Sequence, residues 1–429
     1  MLPTSTATST AASLPGEGEW DRVLPAGAPA GPGDLGPDLD LDLAARSGGP
    51  VAARSAGPRH AGLAVAAPPP GPPGHRTAGR RRRLLAGAGL VLAGAAVGAA
   101  LALLGVRLAP PPRREEPDAA DAAALTFLVV GDWGRNHLPG GSLEQRRVAE
   151  AMERVAGQRL PAPPRFVVSS GDNFYGGGLG SVNDAAFTET FTDVYSGRAL
   201  QVPWLAVLGN VDYGDCGTRA NGAEKACPPG KAARSAAHQL DPALQARDWR
   251  WNPRRAGRLR PAAALELFFL DTTPLLAAEY AHRAFAALPD GLLEQDPDAI
   301  LRRLDADLAA SSAPVKIVVG HHPVFSNGFR GGAAALQERL LPILEAHRVS
   351  AYVNGHDHDL QLVEARGLTF FTSGAGSKTG RGFRVGKGSA FEHDAGGFLS
   401  VSLAEAARQV TFTFWDAGAE PLFERTLPF

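Results

Sequence analysis

Five short motifs between residues 131 and 358 carry side chains of the kinds that bind metal ions. They are Gly-Asp-Trp-Gly at 131–134, Gly-Asp-Asn-Phe-Tyr at 171–175, Gly-Asn at 209–210, Gly-His-His-Pro at 320–323 and Gly-His-Asp-His at 355–358. Carboxylate, amide oxygen and imidazole donors suit iron, zinc or manganese better than soft metals. Neither cysteine belongs to a Cys-x-x-Cys motif, which removes most structural zinc sites. The donor types therefore favour a catalytic metal site.

Each motif also has a simpler explanation, because Gly-Asp and Gly-Asn are common turn dipeptides and a single histidine is usually a surface residue. The five motifs together argue against it. Four of the chain's 11 histidines fall in the last two motifs, and every motif follows an apolar segment. The potential ligands outnumber those that one catalytic ion with an open position needs. They suit two ions that share a bridging carboxylate, an arrangement used in phosphoryl transfer.

The segments before the motifs are short apolar runs, which predict β-strands. Together with one further run of the same kind, they are Leu125–Val130, Arg165–Ser169, Trp204–Leu208, Leu265–Leu270, Val315–Val319 and Ala351–Val353. In open α/β sheets, functional groups gather at the carboxyl ends of the strands. A glycine before the polar residue allows the tight turn that brings its side chain to the strand tip. We therefore expect the five motifs to meet at one edge.

Apolar residues at helical spacing predict three helices between these strands. The first follows a capping box formed by Ser142 and Gln145. The three apolar faces are Val148, Met152 and Val155; Ile300, Leu301, Leu304 and Leu308; and Leu336, Leu340, Ile343 and Leu344, with a kink expected at Pro342. Strands that alternate with helices predict an α/β layered domain.

The first 79 residues have the composition of a disordered tail. They are rich in Ala, Gly, Pro and Ser, and they lack the periodic apolar face that would offset the entropy lost on ordering. The short acidic Asp-Leu repeat at 38–42 could dock a partner, but a solvated tail explains it more simply.

Residues 80–108 have the pattern of a basic flank and a single transmembrane helix. Four arginines at 80–83 precede an uncharged stretch at 84–106, whose length of about 23 residues is enough to span a bilayer. A cleaved signal peptide would have a shorter leader and a shorter apolar run. Positive charge is denser before the stretch than after it, which predicts a cytoplasmic N-terminus and a lumenal or extracellular catalytic domain. We expect residues 109–120 to be a linker and 121–429 to be that domain.

Composition limits the partners. A net charge of −1 and a pI near 6.8 predict no nucleic-acid partner, and we expect a monomeric catalytic domain that acts on a small substrate. Two cysteines cannot build a disulfide framework. Cys216 and Cys227 could form one local bridge in an oxidising compartment, or they could remain free thiols.

The five motifs, in this order, resemble the purple acid phosphatase branch of the calcineurin-like metallophosphoesterases, and specifically its small, tartrate-resistant type. The similarity extends over 125–429. Most members of the superfamily carry Asp-x-His in the first motif, whereas Asp132 is followed here by Trp133 and Gly134. The purple branch replaces that histidine with a tyrosinate, which Tyr175 matches. The resemblance implies a four-layer sandwich of two mixed β-sheets flanked by helices.

The resemblance also implies a ferric ion and a divalent ion of Fe, Zn or Mn, held by seven residues. The ferric ligands would be Asp132, Tyr175 and His358, the divalent ligands Asn210, His321 and His356, and the bridging ligand Asp172. In this family a metal-bound hydroxide attacks the phosphorus of a small phosphate monoester. The tyrosinate causes the purple colour.

One position departs from the family's pattern. The third motif normally reads Gly-Asn-His-Asp, and its histidine assists the leaving group, but this chain has Val211 there. The candidates for the missing catalytic functions are His322, Asp212 and Arg330. We therefore expect reduced or narrowed phosphatase activity. Two alternatives stay open: another metallophosphoesterase, such as a phosphodiesterase or pyrophosphatase, and a metal-binding pseudophosphatase.

Overall fold

The computed structural model describes residues 124–135, 142–217, 224–225, 234–288, 291–384 and 389–429. All of them lie in the unit Glu115–Phe429. The tail predicted at 1–79, the membrane segment predicted within 80–108 and the linker predicted at 109–120 lie outside the described residues. Within the described ranges, no helix has the length and apolar character needed to cross a membrane.

Fourteen strands lie within the described part of the chain. They are β1 Leu125–Val130, β2 Val167–Ser169, β3 Trp204–Ala206, β4 Trp251–Pro253, β5 Ala256–Ala262, β6 Leu265–Leu270, β7 Val315–Val319, β8 Ala351–Asn354, β9 Leu360–Ala365, β10 Leu368–Ser373, β11 Ser389–His393, β12 Gly397–Ala404, β13 Gln409–Asp416 and β14 Pro421–Pro428. The two sheets have the orders β14-β13-β12-β1-β2-β3-β4 and β11-β9-β10-β8-β7-β6-β5.

Both sheets are mixed. In the first sheet, β1, β2, β3 and β4 run parallel to one another, and β12 pairs with β1 in the antiparallel direction. In the second, β6, β7, β8 and β10 form the parallel part. The strands that precede the five motifs therefore all belong to parallel segments, whose carboxyl ends point to one edge of each sheet.

Eight α-helices lie within the described ranges. They are α1 Leu143–Gln158, α2 Ala185–Phe187, α3 Ala237–Leu240, α4 Pro242–Arg247, α5 Ala277–Tyr280, α6 Pro297–Ala309, α7 Ala334–Arg339 and α8 Leu341–Ala346. A π-helical turn at Thr188–Thr192 continues α2, and 3₁₀ turns occur at Arg198–Leu200, Thr273–Leu276, Ala284–Ala287 and Leu292–Glu294.

The predicted strands are present, with small differences at their ends. β1, β6 and β7 have the predicted bounds; β2 and β3 are two residues shorter, and β8 is one residue longer. Ser142 caps α1, and its Oγ accepts from the N–H of Gln145 at 3.1 Å. The capping box is incomplete, because the Gln145 amide donates to the carbonyl of Thr190 instead of returning to the cap.

The predicted kink at Pro342 is wrong in detail. The third apolar face is divided between two helices, since α7 ends at Arg339 and α8 begins at Leu341. Pro342 lies in the first turn of α8, where a proline removes no intrahelical hydrogen bond.

Each sheet is covered by its own helices. α1 packs on the first sheet through Val148, Met152 and Val155, and α6, α7 and α8 pack on the second. The opposite faces of the sheets meet, since Phe371 of β10 stacks on Phe412 of β13 with ring centroids 4.1 Å apart. This helix, sheet, sheet, helix order is consistent with the expected sandwich.

Candidate metal centre

The seven predicted metal ligands lie at the carboxyl ends of five parallel strands. They follow β1, β2, β3, β7 and β8, as the motifs predicted. Six of the side chains are buried, and Tyr175 is half-buried. The set is Asp132, Asp172, Tyr175, Asn210, His321, His356 and His358.

Three of these residues turn the backbone into the left-handed region. The φ angles of Asp132, Asp172 and His356 are 59°, 53° and 69°. Such angles cost free energy for residues other than glycine, and they persist where the surrounding structure enforces them. Here they direct each side chain away from its strand and into a common space.

The first group of donor atoms surrounds the Tyr175 hydroxyl. That oxygen lies 2.9 Å from Oδ1 of Asp132 and 3.0 Å from Oδ2 of Asp172. It is also 3.2 Å from Nε2 of His358. Nε2 of His358 lies 3.3 Å from Oδ1 of Asp132, which closes the group. These are the residues expected to hold the ferric ion, together with the bridging aspartate.

The second group surrounds Nε2 of His321. This nitrogen lies 3.2 Å from Oδ1 of Asn210, 3.2 Å from Oδ1 of Asp172 and 3.2 Å from Nδ1 of His356. Nδ1 of His321 lies 2.8 Å from the Ser170 carbonyl, to which it donates a hydrogen bond. Nε2 then carries the lone pair with which the ring would bind a metal ion. These are the residues expected to hold the divalent ion.

Asp172 belongs to both groups. Its Oδ2 faces the Tyr175 group and its Oδ1 faces the His321 group, so one carboxylate joins the two. Neighbouring ligands of a single ion lie about 3 Å apart when metal–ligand bonds are about 2.1 Å long. The separations within each group match that spacing, so the residues present fit two metal ions.

Electrostatics supports the same fit. Burial raises the pKa of Asp132, although His321 and a hydrogen bond from the His356 N–H act against the rise. Burial also raises the pKa of the Tyr175 phenol. It lowers the pKa of His356 and His358 well below the ordinary value, which keeps both rings neutral and able to coordinate. Bound metal ions would place positive charge directly between these buried acids and neutral imidazoles.

Second-sphere contacts orient the ligands. Asp215 accepts a hydrogen bond from Nδ2 of Asn210 at 2.9 Å, which leaves the amide oxygen for the metal site. Arg283 in turn donates to Asp215 at 2.6 Å. Such outer partners hold ligating groups in one orientation.

An aromatic cluster supports the first motif from behind. The Trp133 ring lies edge-to-face against Phe174 at 5.4 Å and against Trp251 at 6.3 Å. Its indole N–H donates to Ser169, whose hydroxyl donates to Asn173. Trp133 therefore fixes the loops that carry Asp132 and Asp172 against the hydrophobic core.

Comparisons with known proteins agree with this geometry. A family model described as calcineurin-like phosphoesterase matches residues 125–360. Purple acid phosphatase 3 of Arabidopsis thaliana is 39% identical over 308 residues, which cover 69% of this chain and 76% of that protein. Tartrate-resistant acid phosphatase type 5 of Homo sapiens is 31% identical over 342 residues, covering 73% of this chain and 94% of that protein. The chain belongs to the purple acid phosphatases of the calcineurin-like phosphoesterase family.

A solved structure shares the fold. GAP50, described as the anchor in the inner membrane complex of Plasmodium, has a TM-score of 0.54 and 22% identity, over 71% of this chain and 89% of that chain. The family resemblance expected from the motifs is confirmed by the family model and by the two relatives above. Purple acid phosphatases are phosphoric monoester hydrolases, and this chain is an enzyme of that class.

Val211 stands where the family resemblance implies a histidine, and it lines the pocket above the candidate metal centre and is 5% exposed. Its backbone N–H donates to Oδ1 of Asp172 at 2.9 Å. The backbone of Val211 therefore contacts Asp172, the expected bridging ligand. The side chain of Val211 has no proton to give to a leaving group.

The three predicted catalytic residues have different surroundings. Arg330 lines the pocket, whereas His322 and Asp212 are not among its lining residues. The ring nitrogens of His322 lie 2.9 Å from the hydroxyls of Thr272 and Tyr280. His322 also lies beside His321 and His356, so its ring could complete a three-histidine group. Its catalytic role stays a prediction.

Asp212 lies behind the bridging ligand. It accepts hydrogen bonds from the N–H groups of Gly209 and Asn173 and from the amide of Gln239. Burial, and then the charge of Asp172, raises the pKa of Asp212 to about 7. Its position suits a residue that orients the second and third motifs, and its predicted catalytic role stays a prediction.

Some residues of the site were missed by the sequence. Arg135 places its guanidinium 3.5 Å from the Tyr175 ring centroid, and its Nη2 lies 3.0 Å from Nε2 of His358. Its position directly after the first motif was the available signal. Cys216 is disulfide-bonded, so the free-thiol alternative is wrong for it; Cys227 lies outside the described residues.

Proposed function

We propose that this chain hydrolyses phosphate monoesters at a site of two metal ions. The observation that carries the proposal is the position of Asp172, whose two carboxylate oxygens face two separate groups of donor atoms. Membership of the purple acid phosphatases supports the same reaction class.

The residues that would hold the ions fall into two sets with one shared member. One set is Asp132, Tyr175 and His358, the other is Asn210, His321 and His356, and Asp172 belongs to both. When bound, two such ions neutralise phosphoryl oxygens and lower the pKa of water enough to supply hydroxide near neutral pH. A ferric ion with a divalent partner of Fe, Zn or Mn suits this mixture of phenolate, carboxylate and imidazole.

Two arginines are positioned to bind the phosphoryl group. Arg135 and Arg330 both line the pocket above the metal site. Burial acts to lower the pKa of Arg330, but negative groups nearby, foremost Asp172, raise it. A guanidinium fork binds phosphate oxygens with two parallel hydrogen bonds, which orients the ester for displacement.

Val211 cannot donate a proton to the leaving group. A general acid contributes roughly 10²–10⁴-fold to the rate when the leaving group is poor. We therefore propose that the enzyme favours esters with good leaving groups, such as aryl phosphates, over alkyl phosphates.

Phosphate release from p-nitrophenyl phosphate, measured together with metal content, tests the proposal. We expect release by the full chain, and loss of release and of bound metal in Asp172→Asn. A matched control is Asp193→Asn, which removes a carboxylate outside the centre. Release that persists in Asp172→Asn with unchanged metal content would argue against the two-ion site.

The second candidate is a metal-binding protein without turnover, and Val211 is the observation that favours it. The two candidates differ in one result. The full chain would bind metal but release no phosphate from p-nitrophenyl phosphate at any pH if the second candidate holds. Release well above a metal-free sample excludes it.

We also propose that residues 84–106 anchor the chain in a membrane with the catalytic domain on the non-cytoplasmic side. The support is the uncharged length of the segment and the arginines before it. Deletion of 84–106 should move the protein from the alkali-resistant membrane fraction to the soluble fraction. Protease added outside sealed vesicles should then distinguish the two orientations of the intact chain.

A further inference from the structure

The pocket above the metal site is strongly basic. It has a volume of about 460 Å³, and its walls carry six cationic side chains and one carboxylate. The cations are Arg135, Lys225, Arg283, Arg330, Lys378 and Arg381, and the carboxylate is Asp215. One phosphoryl group held by two metal ions does not require so many positive charges.

Among the described residues, one of the six cations forms ion pairs with carboxylates. Arg283 forms ion pairs of 2.6 Å with both Asp215 and Glu224. Across the described ranges, the other five form no ion pair with a carboxylate. Nε of Arg135 is in addition buried without a hydrogen-bond partner among the described residues.

The unpaired cations repel one another. The pKa of Lys378 is lowered first by Arg135 and then by partial burial, with Arg381 and Lys225 adding to the effect. The pKa of Arg381 is lowered by burial and by Arg330 and Arg135. A pocket that keeps such charges together is stabilised by an anionic ligand.

Four of these cations fall into two groups. Arg330 and Arg135 belong to the metal site, since the charge of Asp172 acts on Arg330 and Arg135 contacts His358. Lys378 and Arg381 follow β10 and line the same pocket, and among the described residues neither forms a hydrogen bond or an ion pair with any of the seven predicted metal ligands. Phe329 lies beside them and is 54% exposed, with the Arg381 guanidinium 5.8 Å from its ring centroid.

We propose that Lys378 and Arg381 form a subsite for a second phosphate group, so that the preferred substrates carry a second phosphate near the one that is cleaved. This inference rests on the proposed function for the cleaved phosphate, but the subsite itself consists only of side chains. Arginine and lysine bind phosphate through charge-assisted hydrogen bonds, which are stronger than neutral ones.

Calorimetry on the full metal-loaded chain tests the subsite without turnover. The probes are orthophosphate, imidodiphosphate and propane-1,3-bisphosphonate. We expect at least one of the two-phosphate probes to bind about ten-fold more tightly than orthophosphate, the scale of a charge-assisted contact. Tighter binding of imidodiphosphate alone would indicate a substrate in which the two phosphates are joined directly as an anhydride. Tighter binding of the bisphosphonate alone would indicate a substrate in which the two phosphates are separated by other atoms.

Variants separate the subsite from the metals. The double variant Lys378→Ala/Arg381→Ala should lose that preference and retain its affinity for orthophosphate. Arg366→Ala/Arg408→Ala removes the same charge elsewhere and should retain the preference. Equal binding of all probes by the natural chain, or a preference that survives in the double variant, would overturn the subsite.

Failure of the subsite and failure of the proposed function give different results. A chain that hydrolyses p-nitrophenyl phosphate but shows no preference for the two-phosphate probes contradicts only the subsite. A chain that shows the preference but releases no phosphate from any ester contradicts only the proposed hydrolysis.

Discussion

Val211 is the residue at which this enzyme differs most clearly in chemistry from its family's pattern. Its side chain lines the pocket, and its N–H contacts the bridging aspartate. A side chain at position 211 therefore borders the space in which a substrate would bind.

The variant Val211→His should raise kcat for alkyl phosphates by about 10²-fold, because a general acid contributes on that scale. Rates for p-nitrophenyl phosphate should change little. Steady-state kinetics with both esters measures the effect. Val211→Gln is the matched control, since an amide is polar but supplies no proton. An equal gain from histidine and glutamine would show that polarity, not proton donation, is limiting.

Asp271 makes stability depend on pH away from the metal ligands. Burial raises its pKa to about 6, although Arg255 and a hydrogen bond from the Tyr213 hydroxyl act against the rise. A raised carboxyl pKa gives stability that is present below the unfolded value of 3.8 and is lost as pH rises through about 6.

In Asp271→Asn the loss of stability with rising pH that Asp271 causes should disappear. The free energy of unfolding of the natural chain, from urea titration, should fall by roughly 1–3 kcal/mol between pH 4 and 6 relative to the variant. The difference between the two proteins carries the information, because other groups titrate equally in both. A constant difference across this range would contradict the assignment.

At the scale of elements, the site depends on how closely the loops after β1 and β2 approach each other. A Cβ on Gly134 would lie 1.7 Å from the Asn173 carbonyl oxygen, which belongs to the backbone and has no side-chain freedom to move away. The Gly134 carbonyl also accepts from the N–H of Tyr175 at 2.6 Å. A side chain at 134 would push the second motif away from the first.

Gly134→Ala should therefore destabilise the enzyme by about 3 kcal/mol and reduce phosphate release, since overpacking at a rigid contact has costs of that order. Urea unfolding and the p-nitrophenyl phosphate assay measure the two effects. Gly157→Ala is the control: it lies in α1, its nearest neighbour would be 3.9 Å away, and alanine favours a helix. Equal stability of the two variants would contradict the close approach.

The elements that could be predicted from sequence are those with a strong local pattern. β1, β6 and β7 are mostly apolar runs, and all their residues are buried except the half-buried Lys316, so their bounds followed from composition. Of the fourteen strands in the described ranges, eight were not predicted, and two of these, β11 and β14, are half-exposed edge strands that pair with β9 and β13. Pairing partners distant in sequence leave no local signal.

The same distinction holds for the site. The seven candidate ligands could be named from the sequence because their motifs are local and their order resembles a known family; their role as ligands stays a prediction. The contact of Arg135 with His358 joins residues 223 positions apart, so only the fold brings it about. The left-handed conformations of Asp132, Asp172 and His356 likewise depend on contacts between loops.

At the scale of the molecule, two mixed sheets direct the carboxyl ends of their parallel strands to one place. β1, β2 and β3 of the first sheet supply Asp132, Asp172, Tyr175 and Asn210, and β7 and β8 of the second supply the three histidines. The centre is therefore built from both sheets. Loss of either sheet's packing would separate the two groups of donor atoms.

Metal content and the visible spectrum of the full chain test the central claim most directly. We predict two metal ions per chain and a visible absorption band from a tyrosinate ligand of iron. The band should be absent in Tyr175→Phe and present in Tyr213→Phe, which removes a phenol outside the centre. A natural chain that binds a single ion, or a band that survives in Tyr175→Phe, would contradict a two-ion centre with Tyr175 as a ligand.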